Sequence, residues 1–406
     1  MSDAHAENDG IPFVDPHELV ADGNEIMARM RKVTPVIRTA ERRLSVLRAE
    51  DVQKLAADPR VVQVPGDKFS DAMLIPQGRS RAFVESFMLM ANGEDHKRRR
   101  GAFAKTFAHP LIRGKRADVR AVADAIVADL PRDEPFDLLA LWASRLPAEV
   151  IAKTLGLPTD QSAWFAGHVY MLSRILAPPY DLEMHDQVEA SGEALYGFVS
   201  DALEARRADP RDDLLSMLAT DESARALAPE ELVYQVMGVI LGGSDTTRSA
   251  LNTIVGLLLE DRSRWDEVDA NRDLIPAAID EALRIDPPIG SMPRFAPVPF
   301  ELDGVTVAAG ELVALSTLSA LRDGASFADP GSFDLHRSDH VRPHLVFGGG
   351  AHRCLGEMLA RIELEEGIAS LMDAAPDIEM LEAPHMVGYG GIRQSTPLIA
   401  RIPSGS

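Results

Sequence analysis

The segment PEELVYQVMGVILGGSDTTRSALNTIVGLLLED, residues 229 to 261, constrains the fold more than any other stretch of the chain. Its apolar residues fall on nearly every face of the helix that the pattern predicts, and a helix that is apolar all round belongs in a core. Pro229 stands at the start, followed by Glu230 and Glu231, where the helix dipole and the first unsatisfied N–H groups favour them. Nothing in the chain matches the roughly 18 uninterrupted apolar residues of a bilayer span, so other helices must cover this one. From about 113 to 286 the pattern supplies them, in segments such as RADVRAVADAIVADL and VEASGEALYGFVSDALEARRA with apolar residues three and four apart.

Strand signals are short and few. PVIRT (35 to 39) and LSVLR (44 to 48) precede a helical AEDVQKLAADP that Pro59 ends, and FELDGVTVAAGELVALS, near 300 to 315, alternates around a DG turn that predicts a hairpin. A tract rich in Pro, Gly, Asp and His, 322 to 353, leads into the helix LGEMLARIELEEGIASLM, and a short β-like tail follows. No repeat or composition break divides the chain, so the expectation is a single domain over 1–406, mainly α with small β-sheets, with 1–30 as an N-terminal extension. The first residues lack a secretory signal, and one cysteine in 406 residues excludes an internal disulfide framework, which together predict a cytoplasmic protein with no membrane anchor.

The formal charge of -21 argues against general binding to nucleic acid or anionic membrane. Residues 94 to 120 depart from it, with nine Lys and Arg against three acids. Such a local positive field suits a small acidic partner, and it is equally the composition of a solvated helix face.

Three places carry chemistry. In the central helix Gly242-Gly243-Ser244-Asp245-Thr246-Thr247 puts two glycines, each costing on the order of 1 kcal/mol relative to alanine, where either the helix opens or something approaches its backbone. Asp245 and Thr246, an acid beside a hydroxyl, are suited to passing protons, or Asp245 is simply held in an internal salt bridge. In IDEALRIDPP, Glu281 and Arg284 stand three apart on one helical face, a pair that in general lies on a surface. In FGGGAHRCLG the sole cysteine, Cys354, enters a helix N-terminus beside His352 and Arg353, where a thiolate is favoured as ligand or nucleophile.

FGGGAHRCLG resembles the cysteine-ligand loop of the cytochrome P450 family, F-x-x-G-x-H/R-x-C-x-G, through Phe347, Gly350, His352, Cys354 and Gly356. The resemblance runs from roughly residue 30 to the C-terminus. It implies a triangular, mostly helical prism with haem b between the central helix and the cysteine helix, Cys354 as the axial thiolate of the iron, and dioxygen as co-substrate. It implies further that Asp245 and Thr246 form the acid–alcohol pair of proton delivery, with Gly242 and Gly243 in the oxygen-binding groove. Glu281, Arg284 and Arg337 of FDLHR would form a structural network. His96 and Arg100, with Arg294 and His352, would hold the haem propionates, and Phe347, Gly348 and Gly356 would flank the iron ligand.

The same resemblance implies a monooxygenase that hydroxylates or epoxidises a small hydrophobic substrate, in a pocket lined by Phe83, Phe87, Leu89, Val239, Ile289, Met292 and Ile392. Arg81 or Arg393 is a candidate for receiving a substrate carboxylate. No flavin or nicotinamide domain is visible in the chain, so electrons would come from a small acidic [2Fe-2S] ferredoxin, or a flavodoxin, with an NAD(P)H-dependent reductase, docked on the cluster 97 to 116 and Arg353 of a monomer. Two rivals compete with this reading: a cysteine hydrolase with Cys354 as nucleophile and His352 as base, and a haem protein that binds or senses without turnover.

Overall fold

A computed structural model describes residues 10–104, 107, 112–158, 161–177, 180–221, 224, 226–340 and 344–404. The chain divides into two compact units, each assembled from separate stretches of sequence. The first comprises Met1–Val64, Asp280–Cys354 and Met386–Gln394, and the second Pro65–Ile279, Leu355–His385 and Ser395–Ser406.

The first unit is organised around a four-stranded sheet in the order Val36–Ala40, Arg43–Val46, Leu312–Ser316, Ser291–Phe295. Arg43–Val46 pairs antiparallel with Val36–Ala40 and parallel with Leu312–Ser316, and the latter pairs antiparallel with Ser291–Phe295, setting Arg294 opposite Val313. Val36, Leu44, Val46, Val313 and Leu315 pack with Val52 and Leu55 of the helix Ala49–Ala56 into one core. The expected hairpin is Phe300–Leu302 with Val305–Val307, turned by Asp303 and Gly304, both at positive φ as the tight hairpin turn demands. The sequence reading missed a helix, Pro16–Arg31, in what it took for an extension. Asp15 caps it by accepting from the His17 N–H, Pro16 opens it, and Arg31 donates to the carbonyls of Ser319 and Arg322. The signal was an Asp-Pro pair before weakly periodic residues.

The second unit is helical. Pro229–Leu259 is continuous and buried along most of its length, and Arg145–Leu155, Ser162–Ser173, His185–Ala208 and Glu357–Ala374 surround it. The glycine pair does not open it. It stops at Leu259 rather than Asp261, because the Asp261 side chain accepts from the Ser263 N–H and so caps the next helix, Arg262–Ala270. A small sheet of Phe136–Asp137, Ile399–Arg401 and Glu379–Glu382 accounts for the β-like tail. No helix among the described residues is long and apolar enough to cross a membrane.

One close approach pins the segment before the helix Gly93–Ala104 to the central helix. A Cβ on Gly238 would lie 2.0 Å from a ring carbon of Phe87, and Gln235 holds the same segment by accepting from the Met88 N–H at 2.7 Å and donating to the Ser86 carbonyl at 2.7 Å. Gly238→Ala is therefore expected to lower stability by about 1–3 kcal/mol, as overpacking of a dense core does, read as a fall in the urea midpoint at unchanged slope.

Candidate active site

The loop that carries Cys354 is built from the glycines outward. Gly348 and Gly350 adopt φ of 75° and 63°, and a Cβ on Gly350 would meet the Ala56 carbonyl oxygen at 2.9 Å, so the loop can lie on the end of Ala49–Ala56 only with glycine there. The Cys354 N–H donates to the Phe347 carbonyl at 2.8 Å and Arg353 Nη1 to the Gly348 carbonyl at 2.9 Å, closing the loop on itself. Cys354 is left exposed, with Phe347, Gly348, His352 and Gly356 half-buried around it in the sequence.

Behind this loop Glu281 and Arg284 are fully buried, not at a surface. The pair is bidentate, Nε to Oε2 at 2.7 Å and Nη2 to Oε1 at 2.8 Å, and Arg284 also donates to the carbonyls of Leu321, Pro330 and Ser332. Glu281 accepts as well from Arg337 Nε, at 3.0 Å to both oxygens, and from the Asp334 N–H, while His340 Nε2 stands 3.6 Å away. His344 accepts from the Val346 N–H on Nδ1, which leaves Nε2–H to donate to the Asp280 carbonyl at 3.1 Å. Two arginines and one carboxylate thus fasten the tract 321 to 337, and His344 fastens the base of the cysteine loop.

Arg294 tests whether these residues suit a haem. It is 4% exposed, its Nη1 donates to Gln63 Oε1 at 2.7 Å and to the Pro293 carbonyl at 2.9 Å, and among the described residues no carboxylate pairs with it. Burial pushes the guanidinium down to about 10. A buried cation with no carboxylate partner among the described residues fits a propionate, and the glycine loop that keeps Cys354 exposed fits an iron ligand.

In the second unit Asp245 is fully buried, Gly242 exposed and Thr246 half-buried. Thr246 Oγ1 donates to the Gly242 carbonyl at 3.3 Å. A Cβ on Gly242 would meet nothing within 4 Å, whereas one on Gly243 would touch Ile151 at 3.3 Å. Of the two readings of the glycines, room for an approaching group is the one this geometry fits. Asp245 does have an ion pair, with Arg248 Nη2 2.8 Å from Oδ1, yet neither of its oxygens accepts a well-directed hydrogen bond among the described residues.

On the helix Gly93–Ala104, His96 is buried and Arg100 half-buried; burial first and Arg100 second push the His96 imidazole down, favouring its neutral form. The basic cluster is largely answered. Arg98 and Arg99 both pair with Glu231, Lys97 with Glu94, Arg116 with Glu365 and Glu366, and Arg120 with Asp124 and Asp373. Lys105 lies outside the described residues.

The expected pocket residues divide. Phe83 is fully buried and stacks on Phe87 at 5.4 Å between centroids, so its ring is core packing rather than an open lining. Leu89 and Val239 in this unit, and Ile289 and Ile392 in the other, are half-buried, the last two paired across a β-bridge. Met292 is buried, with its sulfur 3.6 Å from where a Cβ on Gly348 would sit. Neither candidate arginine is available for a substrate carboxylate. Arg81 pairs with Asp71 and Glu85, and Arg393 with Asp286 while donating to the carbonyls of Pro287, Gly388 and Met386.

Arg248, Tyr170 and Glu363 escaped the sequence reading. Glu363 is buried on Glu357–Ala374 with neither oxygen hydrogen-bonded among the described residues, and burial pushes its carboxyl well above the usual range. An acid at an interior position of an amphipathic pattern was its one available signal.

A cytochrome P450 family model matches residues 164–374. The chain is 36% identical to the plant-inducible cytochrome P450-pinF1 of Rhizobium radiobacter over 97% of this chain and 93% of that protein. It is 30% identical to the mycinamicin IV hydroxylase/epoxidase of Micromonospora griseorubida over 92% and 93%. Among solved structures it is similar to a myxobacterial cytochrome P450 in complex with myristic acid, with TM-score 0.84 and 31% identity over 94% of this chain and 97% of that one. It shares its fold with CalO2 at TM-score 0.89 and 24% identity, over 98% and 100%.

Two outcomes follow. Glu281→Gln, which leaves Arg284 buried beside a neutral partner, is expected to cost about 3–5 kcal/mol in denaturant unfolding. For Glu363 the folded state favours the protonated acid, so the unfolded chain releases its proton at lower pH and the wild type loses stability as pH rises above the ordinary carboxylate range. Glu363→Gln should unfold at a higher temperature than wild type at pH 8, with the gap closing towards pH 4.

Proposed function

We propose, on the premise that this chain belongs to the cytochrome P450 family, that Cys354 is the thiolate ligand of its haem iron and that Asp245 and Thr246 deliver the protons of its reaction. The enzyme is a haem-dependent monooxygenase that places one atom of dioxygen in an organic substrate. The observation that carries the site assignment is the closed glycine loop, which holds the only cysteine exposed beside a backbone fixed by the Phe347–Cys354 hydrogen bond.

Bound haem supplies the activation of dioxygen, and the side chains do the rest. Arg294 would give its buried charge to a haem propionate, and His352 in the same unit, with His96 and Arg100 in the helical unit, are the further candidates for that role. Phe347, Gly348 and Gly356 would flank the iron ligand, and Gly242, where a Cβ would meet nothing within 4 Å, would leave room for small reactants. Thr246 exchanges its weak bond to the Gly242 carbonyl for one to a reactant, and Asp245 renews the hydroxyl proton from solvent.

The substrate is a small hydrophobic molecule, hydroxylated or epoxidised, and its candidate contacts are Phe87, Leu89 and Val239 in the helical unit and Ile289, Met292 and Ile392 in the other. Relatives named for acting on mycinamicin IV, vitamin D(3) and steroids support an apolar carbon skeleton. Electrons come from a separate protein, a small acidic ferredoxin with its reductase or a flavodoxin. Because Lys97, Arg98, Arg99, Lys115 and Arg116 already answer carboxylates, steering by that cluster is weaker than its composition suggests. We read residues 1–406 as one domain of a cytoplasmic monomer.

In the carbon monoxide difference spectrum of reduced protein the wild type should give the red-shifted thiolate band and Cys354→Ala should not. Thr246→Ala should retain that band while losing about tenfold or more of its product per NAD(P)H consumed, as expected when a proton-transfer group is removed. A thiolate band that persists in Cys354→Ala overturns the assignment.

A further inference from the structure

The helix Arg79–Ser86 begins without a cap of its own. Gly78 stands before it, with no side chain to bond the first N–H groups, and such groups need an acceptor once water is excluded. The acceptor comes from the helix His185–Ala208. Glu189 accepts from the Arg79 N–H at 2.5 Å through Oε1 and from the Ser80 N–H at 3.0 Å through Oε2, which also accepts from the Ser80 hydroxyl at 2.5 Å. A Cβ on Gly78 would lie 2.4 Å from Oε1, so the carboxylate occupies the place where a side chain there would begin. Burial alone would push the Glu189 carboxyl up, but the bonds from Ser80 and the Arg79 N–H hold it below the usual carboxylate range. It therefore caps as an anion, the form that a helix N-terminus favours.

The other end of this segment is fixed to a different helix. Gln235 bonds both Ser86 and Met88, and the ring of Phe87 lies against the bare backbone of Gly238, all on the central helix. Arg79 adds a tie of its own. Its Nη1 donates to the Tyr234 hydroxyl at 2.9 Å and pairs with Glu230 at 2.8 Å, and its Cζ lies 3.9 Å from the centre of the Tyr196 ring. Its carboxylate partners Glu193 and Glu230 are more than half exposed, where ion pairs contribute little, and Glu189 is the least exposed carboxylate of the three.

We propose that Glu189 is a positioning residue that selects substrates by size, because it ties the start of Arg79–Ser86 to His185–Ala208 while the central helix holds its end. The proposal rests on the reading of Phe87 and Leu89 as substrate contacts. Glu189 acts through the backbone of one short helix. With both ends tied, that helix and the Phe87 ring after it cannot yield to a larger molecule. With the Glu189 end free, the segment pivots on Gln235 and Gly238.

The test uses the holoenzyme with two readouts. Amide hydrogen exchange at Arg79 and Ser80, in the resting protein without turnover, reports the cap. A series of N-substituted imidazoles from methyl to adamantyl, which ligate the haem iron and shift its absorption band, reports size through the ratio of dissociation constants at its two ends. Glu189→Ala is expected to speed exchange of the two amides by about five- to thirtyfold, as loss of an N-cap does. It should also raise the affinity for the adamantyl compound relative to the methyl one by about tenfold, the scale on which pocket shape discriminates. Adding Gly78→Asp to Glu189→Ala gives the helix a cap from its own chain, in space that the carboxylate has left. This double variant should recover slow exchange yet keep the relaxed size preference, because the tie to His185–Ala208 is still missing.

If the double variant recovers the wild-type size preference together with slow exchange, Glu189 is a cap alone and the positioning role is wrong. The role is equally wrong if Glu189→Ala keeps the wild-type preference while Phe87→Ala changes it. If Phe87→Ala leaves the series unaltered, the reading of Phe87 as a substrate contact fails instead. Should Glu189→Ala not fold, the double variant, which carries a cap, decides on the size series.

Discussion

Glu281 is a carboxylate with no exposure to water, and the tract leading to Cys354 is arranged around keeping it satisfied. Arg284 meets it in a bidentate pair, Arg337 adds a second cation, and the Asp334 N–H fills the remaining acceptor capacity. Ions removed from water are tolerated only with such completeness, because desolvation otherwise exceeds the attraction. The carbonyls that Arg284 collects, from Leu321, Pro330 and Ser332, belong to irregular backbone with no sheet or helix to bond them. One guanidinium thus does for a loop what a ladder of hydrogen bonds does for a strand.

Three buried charged groups depart from this completeness, two of them at positions read as functional. Among the described residues Arg294 is buried without a carboxylate, Asp245 has a cation but no directed hydrogen bond, and Glu363 has neither. Their unspent capacity for bonding is free energy that a bound group, water or proton can recover.

The sequence made the central helix, the two early strands, the DG hairpin and the cysteine loop legible because each follows a local rule: apolar coverage, alternation, a turn needing positive φ, a motif of fixed spacing. Pro16–Arg31 was missed because its apolar residues are sparse, and the end at Leu259 because Asp261 is read equally well as the last residue of one helix or the cap of the next. Glu281 and Arg284 give no sign of burial by spacing alone. Arg248 and Tyr170 meet through tertiary packing across 78 residues of chain, which no periodicity encodes, and the basic run 94 to 120 looked unanswered only because Glu231, Glu365, Glu366 and Asp373 are distant in sequence.

The contact of Phe87 with the bare backbone of Gly238 makes these two positions a single unit of volume shared between a loop and a helix. A lineage can enlarge one only by shrinking the other, so the shape of the wall beside the central helix changes in paired steps rather than one residue at a time. Volume at this seam is accordingly a matter of covariation, in which the absence of a side chain on the helix is matched to the presence of a ring on the loop.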